Sequence, residues 1–267
     1  MGYEFGLSRR IYGVVSGVVT DNKHPEGDYR VKVKFGWIRS TDAGDDEDYI
    51  SSWARVTVLM GGGGRGFYCL PEVDDEVLVS FVHGDIRQPV VIGSMWNAKD
   101  AMPVGDAATG NKALTDPQGN DIGIAAAAVD NQAAGGENNA RFMTSRSGHT
   151  IMFDDTDGKE SLQIISKTGH VIVMSDEKDN IAIQDASGEE YIVFDGANKK
   201  IILETANGDI DILCKNGILN IEAKEITTTA TTKATHEATN EMKMHSKKII
   251  IAADNLIDAD AKKIELN

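Results

Sequence analysis

From residue 141 to the C-terminus, apolar and polar positions alternate in short segments divided by glycines at nearly even intervals. Gly148, Gly169, Gly188 and Gly208 lie 21, 19 and 20 residues apart. Period-two runs follow the first two glycines, through residues 149–154 and 170–175, and others fall at 162–165, 181–183, 201–203 and 220–223. Alternation of this kind predicts half-buried strands, and the glycines predict the turns between them. Each unit of about twenty residues then holds two strands and two turns, the mark of a stacked repeat in which each unit packs on its neighbours. A single such strand cannot bury its own apolar side. The next repeat, or another copy of the chain, must cover it.

The pattern before residue 98 is different. Residues 11–20 alternate irregularly around Gly13 and Gly17 and predict a bent first strand. Residues 29–35 form a regular period-two strand with Tyr29, Val31, Val33 and Phe35 on one side and Arg30, Lys32 and Lys34 on the other. Residues 53–58, 76–81 and 90–93 supply three more strands, with a flexible glycine loop at 61–64 and a hairpin turn at His83-Gly84-Asp85. Five short strands in about 85 residues predict a small closed barrel, because closure removes exposed edges. The segment 98–140, rich in Ala, Gly, Asp and Asn, reads as a linker. In residues 225–235, Thr and Ala replace bulky side chains while β-propensity is kept; helix competes over 232–244, and strand is favoured because 247–252 and 262–266 resume the β pattern.

Composition narrows the function classes. The formal net charge of −15 in 267 residues opposes a nucleic-acid binder, whose footprint is normally basic. Cys69 and Cys214 lie in different halves, so no disulfide framework is expected. The N-terminus has no apolar run of a secretion signal, and no stretch reaches the length that spans a bilayer. The tetraglycine at 61–64 lacks the Lys-Ser/Thr of a phosphate-binding loop. Asp154-Asp155-Thr156-Asp157-Gly158 reads as a hairpin turn rather than a calcium loop. No pair of histidines has zinc-ligand spacing within one chain, although His149 and His170 occupy equivalent repeat positions and would form rings in a threefold assembly. Neither a nucleophile motif nor an acid/base pair of carboxylates stands out, so no catalytic residue, cofactor or metal is assigned. The rival reading is an OB-fold module for single-stranded nucleic acid, carried by Tyr29, Trp37, Trp53 and the Lys32/Lys34 side.

The ordered set Ser52-Trp53-Ala54-Arg55-Val56, Leu70-Pro71-Glu72-Val73, Asp75-Glu76-Val77-Leu78-Val79, Gly84-Asp85 and Arg87-Gln88-Pro89-Val90-Val91-Ile92-Gly93 resembles the OB-fold domain of the phage baseplate assembly protein V and VgrG spike family. Ser147-Gly148-His149 through Ser161 resembles the start of that family's triple-stranded β-helix. The resemblance implies an all-β chain, with a five-stranded OB-fold barrel at 11–97 after an N-terminal segment at 1–10. The linker at 98–140 would lead to a triple-stranded β-helix at 141–267. It further implies a homotrimeric structural spike of a contractile injection machine (a phage tail, a type VI system or an extracellular injection system), assembled in the cytoplasm and contacting the target membrane mechanically. Larger relatives carry a hub domain ahead of the barrel and some insert a lysozyme domain after it. Neither fits here, so a separate trimeric hub protein is expected at the N-terminal end, with Tyr3, Phe5, Leu7 and Ile11 as its apolar contact candidates. The terminus lacks the iron-holding His-x-His tip of some relatives. A PAAR-type tip protein is therefore expected at the C-terminal end, against Ile264, Leu266 and Asn267.

Overall fold

A computed structural model describes residues 10–39, 48–102 and 137–258. Tyr3, Phe5, Leu7, Ile264, Leu266 and Asn267, residues 40–47 and most of the linker lie outside the described residues. Among the described residues the regular structure is all strand apart from a single 3₁₀ turn at Val82–Gly84.

The N-terminal strands are β1 (Val15–Asp21), β2 (Arg30–Arg39), β3 (Asp48–Ile50), β4 (Ala54–Val56), β5 (Gly61–Gly62), β6 (Arg65–Gly66), β7 (Glu76–Phe81) and β8 (Pro89–Met95). Five of them close on themselves in the order β1-β7-β8-β4-β2, with β2 returning to β1 and β3 appended beside β2. The closure runs antiparallel except at β4–β8, which pair in parallel through Arg55–Val90 and Val56–Val91. The alternation in residues 29–35 places Val31, Val33 and Phe35 inside, where they meet Val19, Ala54, Val77, Val79 and Val91, all fully buried. Burying each such Val or Phe stabilises by about 1.5–3 kcal/mol. Phe35 also packs against Phe81 and Tyr49, at ring-centroid distances of 5.7 Å and 6.3 Å.

Two local expectations change. The glycines at 61–64 form a tight hairpin, Gly61 opposite Gly66 and Gly62 opposite Arg65, instead of an open loop. The short strand β3 is one that the alternation did not predict, formed where Tyr49 packs against the barrel core and Lys34 pairs with Asp48 at 3.8 Å.

The second sheet contains β9 (Ala140–Thr144), β10 (Thr150–Asp154), β11 (Ser161–Ile165), β12 (Val171–Ser175), β13 (Asn180–Gln184), β14 (Glu190–Asp195) and β15 (Lys200–Thr205). It is a pure antiparallel meander in which every strand pairs with its sequence neighbours. The repeat therefore appears as expected, two strands and two turns per unit. Pairing begins at Ala140, so the strand region starts inside the segment read as linker. The turns use the glycine positions: Gly148 and Gly169 have φ of 95° and 99°, and each donates its N–H to a serine carbonyl three residues back. Asp185 caps the third such turn. Burial acts to raise its carboxyl, but the N–H and hydroxyl of Ser187 and the N–H groups of Glu190 and Glu189 outweigh that and hold it well below the usual carboxylate range.

The expected strands at 220–223 and 247–252 do not appear. Residues 206–258 form no ladder and every one of them is exposed. The chain divides into two compact units, Met1–Ile210 and Asp211–Asn267. A strand exists only as one side of a hydrogen-bonded pair, and within one chain these segments have no other side.

Barrel closure has a testable tight point. A Cβ on buried Gly17 would run into Val33 Cγ1 and the Lys34 carbonyl oxygen, whereas one on Gly36 meets nothing within 4 Å. Gly17→Val is expected to lower barrel stability by about 1–3 kcal/mol or more, read as a lower urea midpoint of tryptophan fluorescence, while Gly36→Ala stays near neutral.

Candidate functional site

The register of the meander sorts its side chains into two unlike faces. On one face the middle row runs Phe142, Met152, Gln163, Val173, Ala182, Val193 and Ile202. The rows beside it are largely polar, with Asp154, Ser161, Ser175, Asn180 and Asp195 on one side and Thr144, Thr150, Gln184 and Glu204 on the other. The apolar members of this face are buried in the single chain, Phe142 and Ile202 only partly, and Tyr191 donates its hydroxyl to Glu204 at 2.6 Å.

The opposite face is apolar almost throughout. One row is Arg141, Phe153, Leu162, Met174, Ile181, Phe194 and Ile201; the next is Met143, Ile151, Ile164, Ile172, Ile183, Ile192 and Leu203. Apart from Arg141, every position is Ile, Leu, Met or Phe. Eleven of these side chains are 38% to 71% exposed. A soluble monomer rarely exposes a continuous apolar patch beyond roughly 300–600 Å², and two full rows across seven strands exceed that. The period-two pattern of the sequence marks this apolar face. The same holds for residues 206–258, where Ile212, Leu213, Ile218, Ile221 and Ile250 are each at least 66% exposed.

His149 and His170 sit at matching turns along one edge of the meander. Each is exposed and accepts a hydrogen bond at Nδ1, from Lys167 N and Ala186 N respectively, both at 3.2 Å. These bonds tie each turn to the next one along the edge and leave Nε2 as the donor. Among the described residues no group of three or more His, Cys, Asp or Glu converges as a metal site. Cys69 and Cys214 are free thiols.

On the barrel, the aromatic residues of the nucleic-acid reading are dispersed. Tyr29 accepts from Cys69 N at 3.1 Å and meets Tyr68 edge-on. Trp37 donates to Ser16 O at 3.4 Å. Trp53 lies under Lys32 Nζ, 5.0 Å from the ring centroid. No row of parallel, open rings results, which is what successive bases stack upon. Of the hub-contact candidates, Ile11 alone is described. Its side chain packs against the barrel core and its N–H donates to Gly84 O at 2.9 Å.

Residues 15–96 match the family described as the type VI secretion system/phage-baseplate injector OB domain. The parallel β4–β8 closure is the geometry in which those residues complete their barrel. Residues 15–96 are an injector OB domain of this kind. Two relatives of this domain are the type VI secretion system spike proteins VgrG5 and VgrG4b of Pseudomonas aeruginosa, each 38% identical over 90 residues, which is 34% of this chain and 11% of theirs. The actin cross-linking toxin VgrG1 of Vibrio cholerae is 34% identical over 74 residues, 28% of this chain and 6% of its own. The likeness thus spans about a tenth or less of those relatives' length. It rests on the injector OB domain, and no match of the family model extends into the meander.

The apolar face supplies the test of this section. Ile172 and Ile183 lie directly opposite each other at its centre. Changing both to Glu buries uncompensated charge if the face is covered, at a cost of several kcal/mol. The double variant is expected to bind a hydrophobic dye strongly where the native protein does not. Strong binding by the native protein would mean that the face lies open.

Proposed function

We propose that this chain is the central spike of a contractile injection machine, with three copies joined along their apolar sheet faces. The observation that carries the reading is the uncovered double row of Ile, Met, Leu and Phe on a chain whose barrel is an injector OB domain. Three copies would turn these rows inward against one another. The exposed segments at 206–258 would then find in neighbouring copies the backbone partners that they lack at home. Such a body has few open ladders, so it unfolds slowly, as suits a part that pierces.

The two ends serve different partners in this reading. The barrel end meets a trimeric hub protein, with Tyr3, Phe5 and Leu7 as contacts; Ile11 is already held by the barrel. The far end meets a PAAR-type tip protein through Ile264, Leu266 and Asn267, which would cap the last open strand edges. The machine is a phage tail, a type VI system or an extracellular injection particle, put together in the cytoplasm.

Deletion of residues 262–267 tests the end assignment. The truncated spike is expected to stay assembled and to keep hub binding while losing a PAAR-type protein encoded beside it, read by co-purification. Undiminished recovery of that protein would place the tip contact elsewhere.

A further inference from the structure

The barrel bears a cationic cleft for which the spike reading has no use. Arg30, Arg55 and Arg87 line a cavity of about 430 Å³ together with His24, Trp53 and Pro89. Arg30 and Arg55 are direct cross-strand partners on β2 and β4. Like charges set opposite each other in a sheet are destabilising, so the fold carries a cost here that a bound anion would relieve. Arg87 arrives from a third place in the chain, just before β8, through the parallel β4–β8 pairing.

The local carboxylates offset this charge only in part. Arg30 pairs with Asp28 at 3.2 Å. Arg87 holds Asp85 through two side-chain hydrogen bonds, and these bonds pull the Asp85 carboxyl down to about 2. The Arg55 guanidinium is exposed and makes no ion pair or hydrogen bond among the described residues. With Lys32 beside Trp53, four fixed cations face two carboxylates, on a chain whose net charge is −15.

We propose that this cleft is the docking site for an acidic peptide segment of a partner protein. Arg55 grips its carboxylates, and Arg30 and Arg87 flank them. A planar guanidinium fork matches a carboxylate in two parallel hydrogen bonds. Val82, Pro89 and Val90 provide an apolar wall for the rest of the segment. Nucleic acid suits the cleft less well. The Trp53 ring already holds the Lys32 ammonium, and His24 meets its edge at 4.8 Å, so it offers no vacant stacking platform. A polyanion would also run on from the cleft over an acidic protein, whereas a short segment stays within the roughly 8 Å over which local charge dominates at physiological salt. The cleft opens beside the 3₁₀ turn whose Gly84 carbonyl receives the Ile11 N–H. The partner therefore approaches the barrel at the end where the N-terminal segment joins it.

The test uses the full chain and a fluorescein-labelled decapeptide of Asp and Glu, followed by anisotropy at low and at physiological salt. Arg55→Glu is expected to weaken binding about tenfold or more with the near-UV circular dichroism unchanged. Lys167→Glu makes the same charge change on the meander and is expected to leave affinity within about twofold, since exposed charges beyond a Debye length are screened. A short oligothymidylate is expected to compete poorly. Absence of salt-dependent peptide binding, equal losses for the two variants, or oligothymidylate binding tighter than the peptide would each overturn the proposal. None of these outcomes bears on how many copies assemble.

Discussion

The constraint on which the rest of the structure depends is an apolar sheet face that its own chain does not cover. The meander is a single layer built from hairpins of about twenty residues. Its mixed face is satisfied within the chain, through a middle row that includes Met152, Val173 and Val193. Its other face presents thirteen apolar side chains in two rows, eleven of them exposed. At about 25 cal/mol for each Å² removed from water, covering such a face is worth far more than any surface ion pair in the molecule. Arg141–Asp155, for example, is more than half exposed on both sides, and such pairs contribute about 0–1 kcal/mol. Covering this face is the largest gain in stability that the described residues leave open.

The barrel answers the opposite problem. Its five strands close on one another, with short β3 appended beside β2, and its core is complete within one chain. That independence lets it serve as a fixed platform, with the charged cleft built from β2, β4 and the start of β8. The barrel core is complete within one chain, whereas one face of the meander stays exposed in it.

Much of this was legible in the sequence, for reasons that also explain the failures. Period-two alternation in residues 150–205 marked both faces, and Gly148, Gly169 and Gly188 marked the turns. The barrel strands around Val31, Val77 and Val91 were visible for the same reason. Residues 220–223 and 247–252 carry an equally good strand pattern, yet one chain gives them no partner. Local alternation encodes the strand conformation and says nothing of which chain holds the other half of the ladder. The β5–β6 hairpin was missed because a run of glycines carries no alternation at all. The cleft was half visible: Arg30 and Lys32 stood out on one strand, whereas Arg55 and Arg87 join them only through a parallel pairing between distant segments. His149 and His170 were seen as equivalent, but their role as acceptors for the next turn follows from the stacking of hairpins.

The most direct test of the account is the mass of the native protein in solution. Multi-angle light scattering at micromolar concentration should give three times the 28.8 kDa of one chain, unchanged on dilution, because the apolar rows leave no stable separate copy. A particle of 28.8 kDa that is soluble and folded would contradict the account at its centre.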